Sequence, residues 1–276
     1  MTAALTREEV AFVSDWLRRR AAVVIDQDHS YVIETRLATL ARTIGLESPS
    51  EIVVALRSQC PGDLDVHVID TMTTHETLFF RDIHPFESLA TDVLPALVAA
   101  RPHGRPLRVW SGACSTGQEP YSIAMTVRER FPHLGPADVR IVGTDIARSV
   151  IERARAGVYK LNEVQRGLSA ERLARHFEQV GREFHIARAV KDLVEVQELN
   201  LLERWPALDA FDVVFLRNVL VYFDEPTRSR ILHRVRDVMR EGGTLFLGTA
   251  EILKADVPGL ERVTCGKTQV LVKRGC

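Results

Sequence analysis

The run Leu107-Arg108-Val109-Trp110 passes directly into Ser111-Gly112-Ala113-Cys114-Ser115-Thr116-Gly117-Gln118-Glu119-Pro120. An apolar stretch is followed by small residues and then by a proline where a helix can begin, which reads as strand, close turn and helix. Open α/β sheets bind nucleotide-like ligands at the carboxyl end of such a unit. The turn does not spell G-x-G-x-x-G and has no phosphate-cradling lysine, which argues against a dinucleotide pyrophosphate or ATP. It suits a cofactor without phosphates, one that needs room for a methionine-type zwitterion and an acceptor for its ammonium.

The same pattern continues downstream. Arg140-Ile141-Val142-Gly143-Thr144, Phe211-Asp212-Val213-Val214-Phe215-Leu216 and Gly243-Thr244-Leu245-Phe246-Leu247 are short apolar runs, with helices legible at Pro120 to Arg130, Ala147 to Ala156 and Glu225 to Arg240. Strands covered by helices on both faces need no polar alternation, so the expected fold is a doubly wound parallel α/β sheet over residues 106–276. Phe184 to Ala187 and Leu193 to Val196 alternate instead. With Gly181 in a turn, they predict a small antiparallel insert at about 178–196, whose second run leads back into the sheet. Glu261 to Cys265 and Gln269 to Lys273 flank Gly266-Lys267-Thr268 and predict a hairpin at the sheet edge.

Upstream, Thr6-Arg7-Glu8-Glu9 has the form of a capping box opening a helix through Arg20, and Ser48 or Ser50 opens another through Cys60. The expected organisation is an all-helical N-terminal domain at 1–85, joined by a linker to about 105 through Arg101-Pro102-His103-Gly104-Arg105-Pro106. A net charge of −1 over 276 residues provides no global field for nucleic acid. The four cysteines form no C-x-x-C pair, so no metal is expected. No signal core or apolar run of about 20 residues is present, which predicts a cytoplasmic protein without membrane insertion.

Polar residues recur at the predicted strand ends. Glu119 reads either as the ammonium acceptor or as a first-turn glutamate favoured by the helix dipole. Asp145, after the second strand, reads either as a bridge to two ribose hydroxyls or as a helix cap. Asn200 and the Arg217-Asn218 pair end the next two strands and suit an adenine edge or a substrate. His75, Thr77 and Arg81 lie in the polar segment Thr73 to Asp82.

Thr77-Leu78-Phe79-Phe80-Arg81, the long string from Trp110 to Ala124, Asn200-Leu201-Leu202 and Arg217-Asn218-Val219-Leu220-Val221-Tyr222-Phe223-Asp224 together resemble the CheR family of chemoreceptor glutamate methyltransferases. The resemblance implies a Rossmann-like S-adenosylmethionine (SAM) methyltransferase sheet in which the insert is the family's β-subdomain. It implies that Thr77, Arg81, Glu119, Asp145, Asn200, Leu201, Arg217 and Asn218 contact SAM, whose product is S-adenosylhomocysteine (SAH). His75 stands where the family usually has Asn, and its contact with the cofactor is expected to be altered rather than lost. Arg81 and Tyr222 are the candidate catalytic residues, orienting a glutamate carboxylate for direct in-line transfer. The partner implied is the helical cytoplasmic region of a chemoreceptor, met by Arg18, Arg19, Arg20, Arg36 and Arg42. Gly248-Thr249-Ala250-Glu251 replaces the usual G-H-S-E. The short insert around Gly181 lacks a glycine-rich loop, so gripping of a pentapeptide tether is not expected. The rival readings are a related methyltransferase for another protein or small molecule, and a SAM-binding interaction protein without turnover.

Overall fold

The computed structural model of the chain describes residues 5–25, 30–58, 63–102, 104–251 and 256–275. Four helices come first: α1 (Arg7–Ala21), α2 (Ser30–Ile44), α3 (Pro49–Arg57) and α4 (Leu64–Met72). The capping box at Thr6 is formed, with Glu9 N–H donating to Thr6 Oγ1 at 3.2 Å and Thr6 N–H to Glu9 Oε2 at 2.7 Å. Their apolar faces make a separate core around Val13, Leu17, Ile33, Leu37, Ile52 and Val68. The helix opened by Ser48 ends at Arg57, short of the expected end; Cys60 lies outside the described residues, as do His103 and Cys276.

Residues read from sequence as a linker are helical. α5 (His84–Ser88), a π-helical turn (Leu89–Val93) and α6 (Leu94–Ala100) pack Phe86, Leu89 and Leu94 into the core of the sheet. The strand–helix series follows as β1 (Leu107–Gly112), α7 (Gln118–Arg130), β2 (Val139–Asp145), α8 (Arg148–Ala156) and β3 (Val158–Lys160). Next come α9 (Leu161–Val164), α10 (Ala170–His176), β4 (Phe177–Val180), β5 (Glu183–Ile186), α11 (Arg188–Lys191) and β6 (Val194–Glu198). The chain ends with β7 (Phe211–Leu216), α12 (Glu225–Asp237), β8 (Met239–Leu247), β9 (Leu260–Cys265) and β10 (Thr268–Lys273).

The main sheet has the order β6-β2-β1-β7-β8-β10-β9, parallel throughout except for β10. Every residue of β7 is buried, because Val213 and Phe215 face one helical layer while Val214 and Leu216 face the other. Two expectations are corrected. The last helix stops at Asp237 rather than Arg240, since Phe211 N–H bonds to the Val238 carbonyl at 2.8 Å and draws Met239 into the sheet. The small antiparallel sheet has the order β3-β5-β4, so its third strand comes from Val158–Lys160, before the predicted segment; β6 pairs with β2 in the main sheet, where the second run was expected to lead.

The small sheet is pinned by a charged cluster. Glu129 at the end of α7 accepts from Arg172 Nε and Nη2, both at 3.1 Å, and pairs with His176 Nε2 at 3.0 Å. Burial alone would raise its carboxyl, but bonds from His176 and Arg172 outweigh that and hold it at about 2. A depressed folded value contributes stability that is present above the ordinary carboxylate range and is lost as pH falls toward 2. Glu129→Gln is therefore expected to be less stable than wild type near pH 7 and to lose less on acidification. Denaturant unfolding from pH 7 to 3 checks this, and parallel curves for the two proteins would refute it.

Candidate functional site

The strand order reverses between β1 and β7, because the chain moves outward on one side through β2 and β6 and then returns to build the other. Such a switch point leaves a crevice outside the carboxyl ends of the strands. Here the crevice is a cavity of about 700 Å³, and His75, Thr77, Arg81, Glu119, Asp145, Asn200, Leu201, Arg217, Asn218 and Tyr222 all line it. Ten residues spread over nearly 150 positions of sequence thus meet at one place, closed on one side by Val23, Val24 and Ile25 from the end of α1.

The loop after β1 is shaped by Asp145. Its Oδ2 accepts from Ser115 N–H at 2.8 Å and its Oδ1 from Ala147 N–H at 3.1 Å. The cap residue of α8 is Ala147, so Asp145 does not cap that helix; it ties two loops together and keeps lone pairs on both oxygens. Burial pushes its carboxyl up, and the backbone bonds to Ala147 and Ser115 oppose this. Ala113 and Ser115 sit at φ 56° and 50°, and Phe80, Asp82 and Asn218 at 50°, 62° and 59°. A left-handed conformation costs a non-glycine residue roughly 1–3 kcal/mol, and such strain gathers at functional sites. Ala113, Ser115 and Asn218 line this one cavity.

Arg217 is 4% exposed yet charged. Its Nη1 donates to Glu119 Oε2 at 2.9 Å, and its Nη2 donates to the Arg81 carbonyl at 2.9 Å and to Asp82 Oδ2 at 2.8 Å. Ser111 Oγ donates to the other oxygen of Glu119 at 2.8 Å. Burial pushes the Glu119 carboxyl up, while the Arg217 charge pulls it back. Both Glu119 oxygens are therefore engaged, each with one acceptor position left. Arg217 anchors the turn that carries Arg81 and gives up most of its donors in doing so.

The other residues divide by what remains free. Asn200 spends both amide hydrogens, on the Arg20 carbonyl at 2.8 Å and Glu203 Oε1 at 3.3 Å, and its Oδ1 accepts from Leu202 N–H at 2.9 Å. It ties the end of α1 to the rim and has no donor left for an adenine. Arg36 donates Nη1 to the carbonyls of Thr71 and Met72 at the end of α4 and keeps its other guanidinium hydrogens. His75 Nε2 meets the Asp70 carbonyl at 3.2 Å and Thr73 Oγ1 at 2.9 Å. Because the Thr73 hydroxyl already donates to the Ile69 carbonyl, Nε2 carries a proton directed at these two oxygens. By contrast Arg81 spends one bond, to the Glu76 carbonyl at 3.2 Å, and the hydroxyls of Thr77 and Tyr222 and the side-chain amide of Asn218 bond to none of the described residues.

Sequence reading missed the role of Glu251. It is 7% exposed, and its two oxygens accept from four backbone amides: Asn218 at 2.9 Å, Gly248 at 2.6 Å, Val219 at 2.8 Å and Leu220 at 2.6 Å. A Cβ at Gly248 would lie 2.7 Å from Glu251 Oε2, so only glycine fits beneath it. Gly248 and Glu251 carry the signal in the sequence, on either side of the altered middle of Gly248-Thr249-Ala250-Glu251.

A switch-point cavity with a buried carboxylate at the end of its second strand, a small-residue loop after its first and no phosphate cradle defines a SAM-dependent methyltransferase. The family model for "CheR methyltransferase, SAM binding domain" matches residues 75–270. The chain is 41% identical over 254 residues to "Chemotaxis protein methyltransferase 1" of Pseudomonas aeruginosa, covering 91% of this chain and 92% of that one. It is 38% identical over 268 residues to "Chemotaxis protein methyltransferase" of Vibrio parahaemolyticus, covering 95% of each. Among solved structures, that of DszA carbon methyltransferase aligns with a TM-score of 0.40 at 16% identity, over 77% of this chain and 46% of that one. The chain belongs to the CheR methyltransferase family, and its cofactor is SAM. The cavity fits that cofactor in size and in chemistry, offering open acceptor positions on Asp145 and Glu119, uncommitted donors on Arg81 and Asn218, and apolar walls at Ile146 and Leu201.

Proposed function

We propose that this methyltransferase acts in the cytoplasm on chemotaxis receptors, converting glutamate side-chain carboxylates in their helical region to glutamyl methyl esters. Relatives named as chemotaxis methyltransferases, aligned over nearly their whole length, support the process. The observation that carries the choice of acceptor is that Arg81 and Tyr222 hold free donors in a cavity whose other charges are largely engaged. A carboxylate is already ionised at pH 7, so it needs orientation and partial desolvation rather than a strong base. Bound in this cavity, SAM supplies a methyl group on a positively charged sulfur.

The chain's residues have separable tasks. Asp145 would hold the ribose hydroxyls, Ile146 and Leu201 the adenine, and Glu119, Thr77 and Asn218 the polar groups of the methionine end. Arg81, free but for one carbonyl bond, would draw in an anionic group, and Tyr222, 49% exposed, would steady the incoming carboxylate at the mouth. The helical unit to residue 85, joined through to about 105, would dock the receptor through Arg18, Arg19, Arg20, Arg36 and Arg42, and residues 106–276 would carry out the transfer. Gly181 makes a tight turn between β4 and β5, which favours docking without a pentapeptide tether.

The test supplies purified protein with methyl-labelled donor and receptor cytoplasmic fragments. Label should enter as base-labile ester, and Arg81→Ala should lower kcat/KM by about 100-fold with folding intact, the scale expected when a positioning group is lost. Label found only on other components, or normal turnover by Arg81→Ala, would refute the assignment.

A further inference from the structure

α8 begins without a cap of its own. Its N-cap residue is Ala147, which has no side-chain acceptor, and Asp145 two residues earlier is engaged by Ser115 and Ala147. The cap comes from another part of the chain. Asp70, in the last turn of α4, accepts with its Oδ2 from Ser149 N–H in the first turn of α8 at 2.9 Å. A carboxylate there satisfies an amide that has no partner within its helix and lies at the positive end of the helix dipole.

Asp70 also reaches the cofactor cavity by a second route. Its carbonyl accepts from His75 Nε2 at 3.2 Å, the His75 carbonyl accepts from Ser115 Oγ at 2.8 Å, and Ser115 N–H donates to Asp145 Oδ2 at 2.8 Å. Asp145 Oδ1 accepts from Ala147 N–H at 3.1 Å, and Ser149, two residues on, returns the path to Asp70. The bonds close a circuit through α4, the segment after it, the loop after β1 and the start of α8. A member of such a circuit can turn only if its neighbours give way. His75, Ser115 and Asp145 line the cofactor cavity, whereas Asp70 and Ser149 do not. The neighbouring pair of Arg148 with Asp63, whose side chains are 42% and 71% exposed, is too open to solvent to hold α4 on α8 in their place.

We propose that Asp70 is a positioning residue for SAM: it caps α8 from the helical unit and thereby holds Asp145 in place on the cavity wall. The proposal rests on the reading of Asp145 as the ribose ligand. Cofactor affinity therefore depends on how the helical unit is docked, although Asp70 itself touches no part of the cavity. His75 belongs to the same circuit and joins the Asp70 carbonyl to the loop that Asp145 ties down.

The test is titration calorimetry with SAH on full-length wild type, Asp70→Ala and Asp70→Asn, each with Asp145 present and in an Asp145→Ala background, alongside thermal melts. Asp70→Ala should weaken SAH about fivefold, the scale of a lost helix cap, and Asp70→Asn, which keeps an accepting oxygen, should stay within about twofold of wild type. In the Asp145→Ala background the effect of Asp70→Ala should shrink to less than about twofold, because the group that it positions has gone. Hydrogen exchange reads the cap without ligand: the Ser149 amide should exchange faster in Asp70→Ala than in wild type or in Asp70→Asn. Affinity within about twofold of wild type in Asp70→Ala, equal losses in the Ala and Asn variants, or an undiminished effect in the Asp145→Ala background overturns the positioning role and leaves the ribose reading standing. Unchanged exchange at Ser149 does the same. Wild-type affinity in Asp145→Ala alone brings down both.

Discussion

Glu251→Ala is expected to destabilise the protein by about 4 kcal/mol and to abolish cofactor binding with it. Four backbone donors lose their acceptor at once, and an orphaned buried donor costs about 1–3 kcal/mol. Partial solvation of the loosened 218–220 turn keeps the total below the sum. That turn carries Asn218 at φ 59°, a conformation that persists only while the surroundings impose it. Glu251→Gln should not rescue, since one of the two accepting oxygens becomes a nitrogen that faces N–H groups. Urea unfolding with and without SAH checks both variants. A midpoint near that of wild type for Glu251→Ala would show that the carboxylate does not hold the turn.

Asp145→Ala should lower SAH affinity by at least about 100-fold. A hydrogen bond to a charged group is worth about 1.5–3 kcal/mol, the proposed role of Asp145 puts two ribose hydroxyls at stake, and 1.4 kcal/mol is a factor of about ten. The change also releases the amides of Ser115 and Ala147, so the loop after β1 loses the tie that keeps Ser115 left-handed. Titration calorimetry on the folded variant measures the loss, and retained affinity would remove Asp145 from the binding set. The pH dependence has a definite sign. Burial has pushed the carboxyls of both Asp145 and Glu119 up, so in wild type they begin to protonate at higher pH than free carboxylates. Affinity for SAH should therefore fall on mild acidification before the protein unfolds, and Asp145→Ala should show a shallower fall.

Asn200 suits a base contact by residue type and position, yet its amide hydrogens go to the Arg20 carbonyl and to Glu203. A side chain's hydrogen-bonding capacity is visible in a sequence, but how it is spent depends on which distant backbone groups lack partners. The same holds for Glu251, whose importance comes from amides more than thirty residues away in sequence. The insert was misjudged for a related reason, since Val158–Lys160 is too short to show alternation and becomes a strand only against β5.

The apolar runs and the small-residue loop were enough by themselves to define the parallel sheet and the carboxyl-end rim, and the resemblance of four strings to one family supplied ten residues, all of which line the cavity. The sheet and its rim follow from local rules, as a strand buried on both faces must be apolar throughout and a loop that meets a ligand must be small. Only the tertiary structure decided which of the ten are free to bind and which are held. Those properties belong to pairs of groups brought together from far apart in the chain, and the burial that gives each pair its energy exists only once the layers have packed.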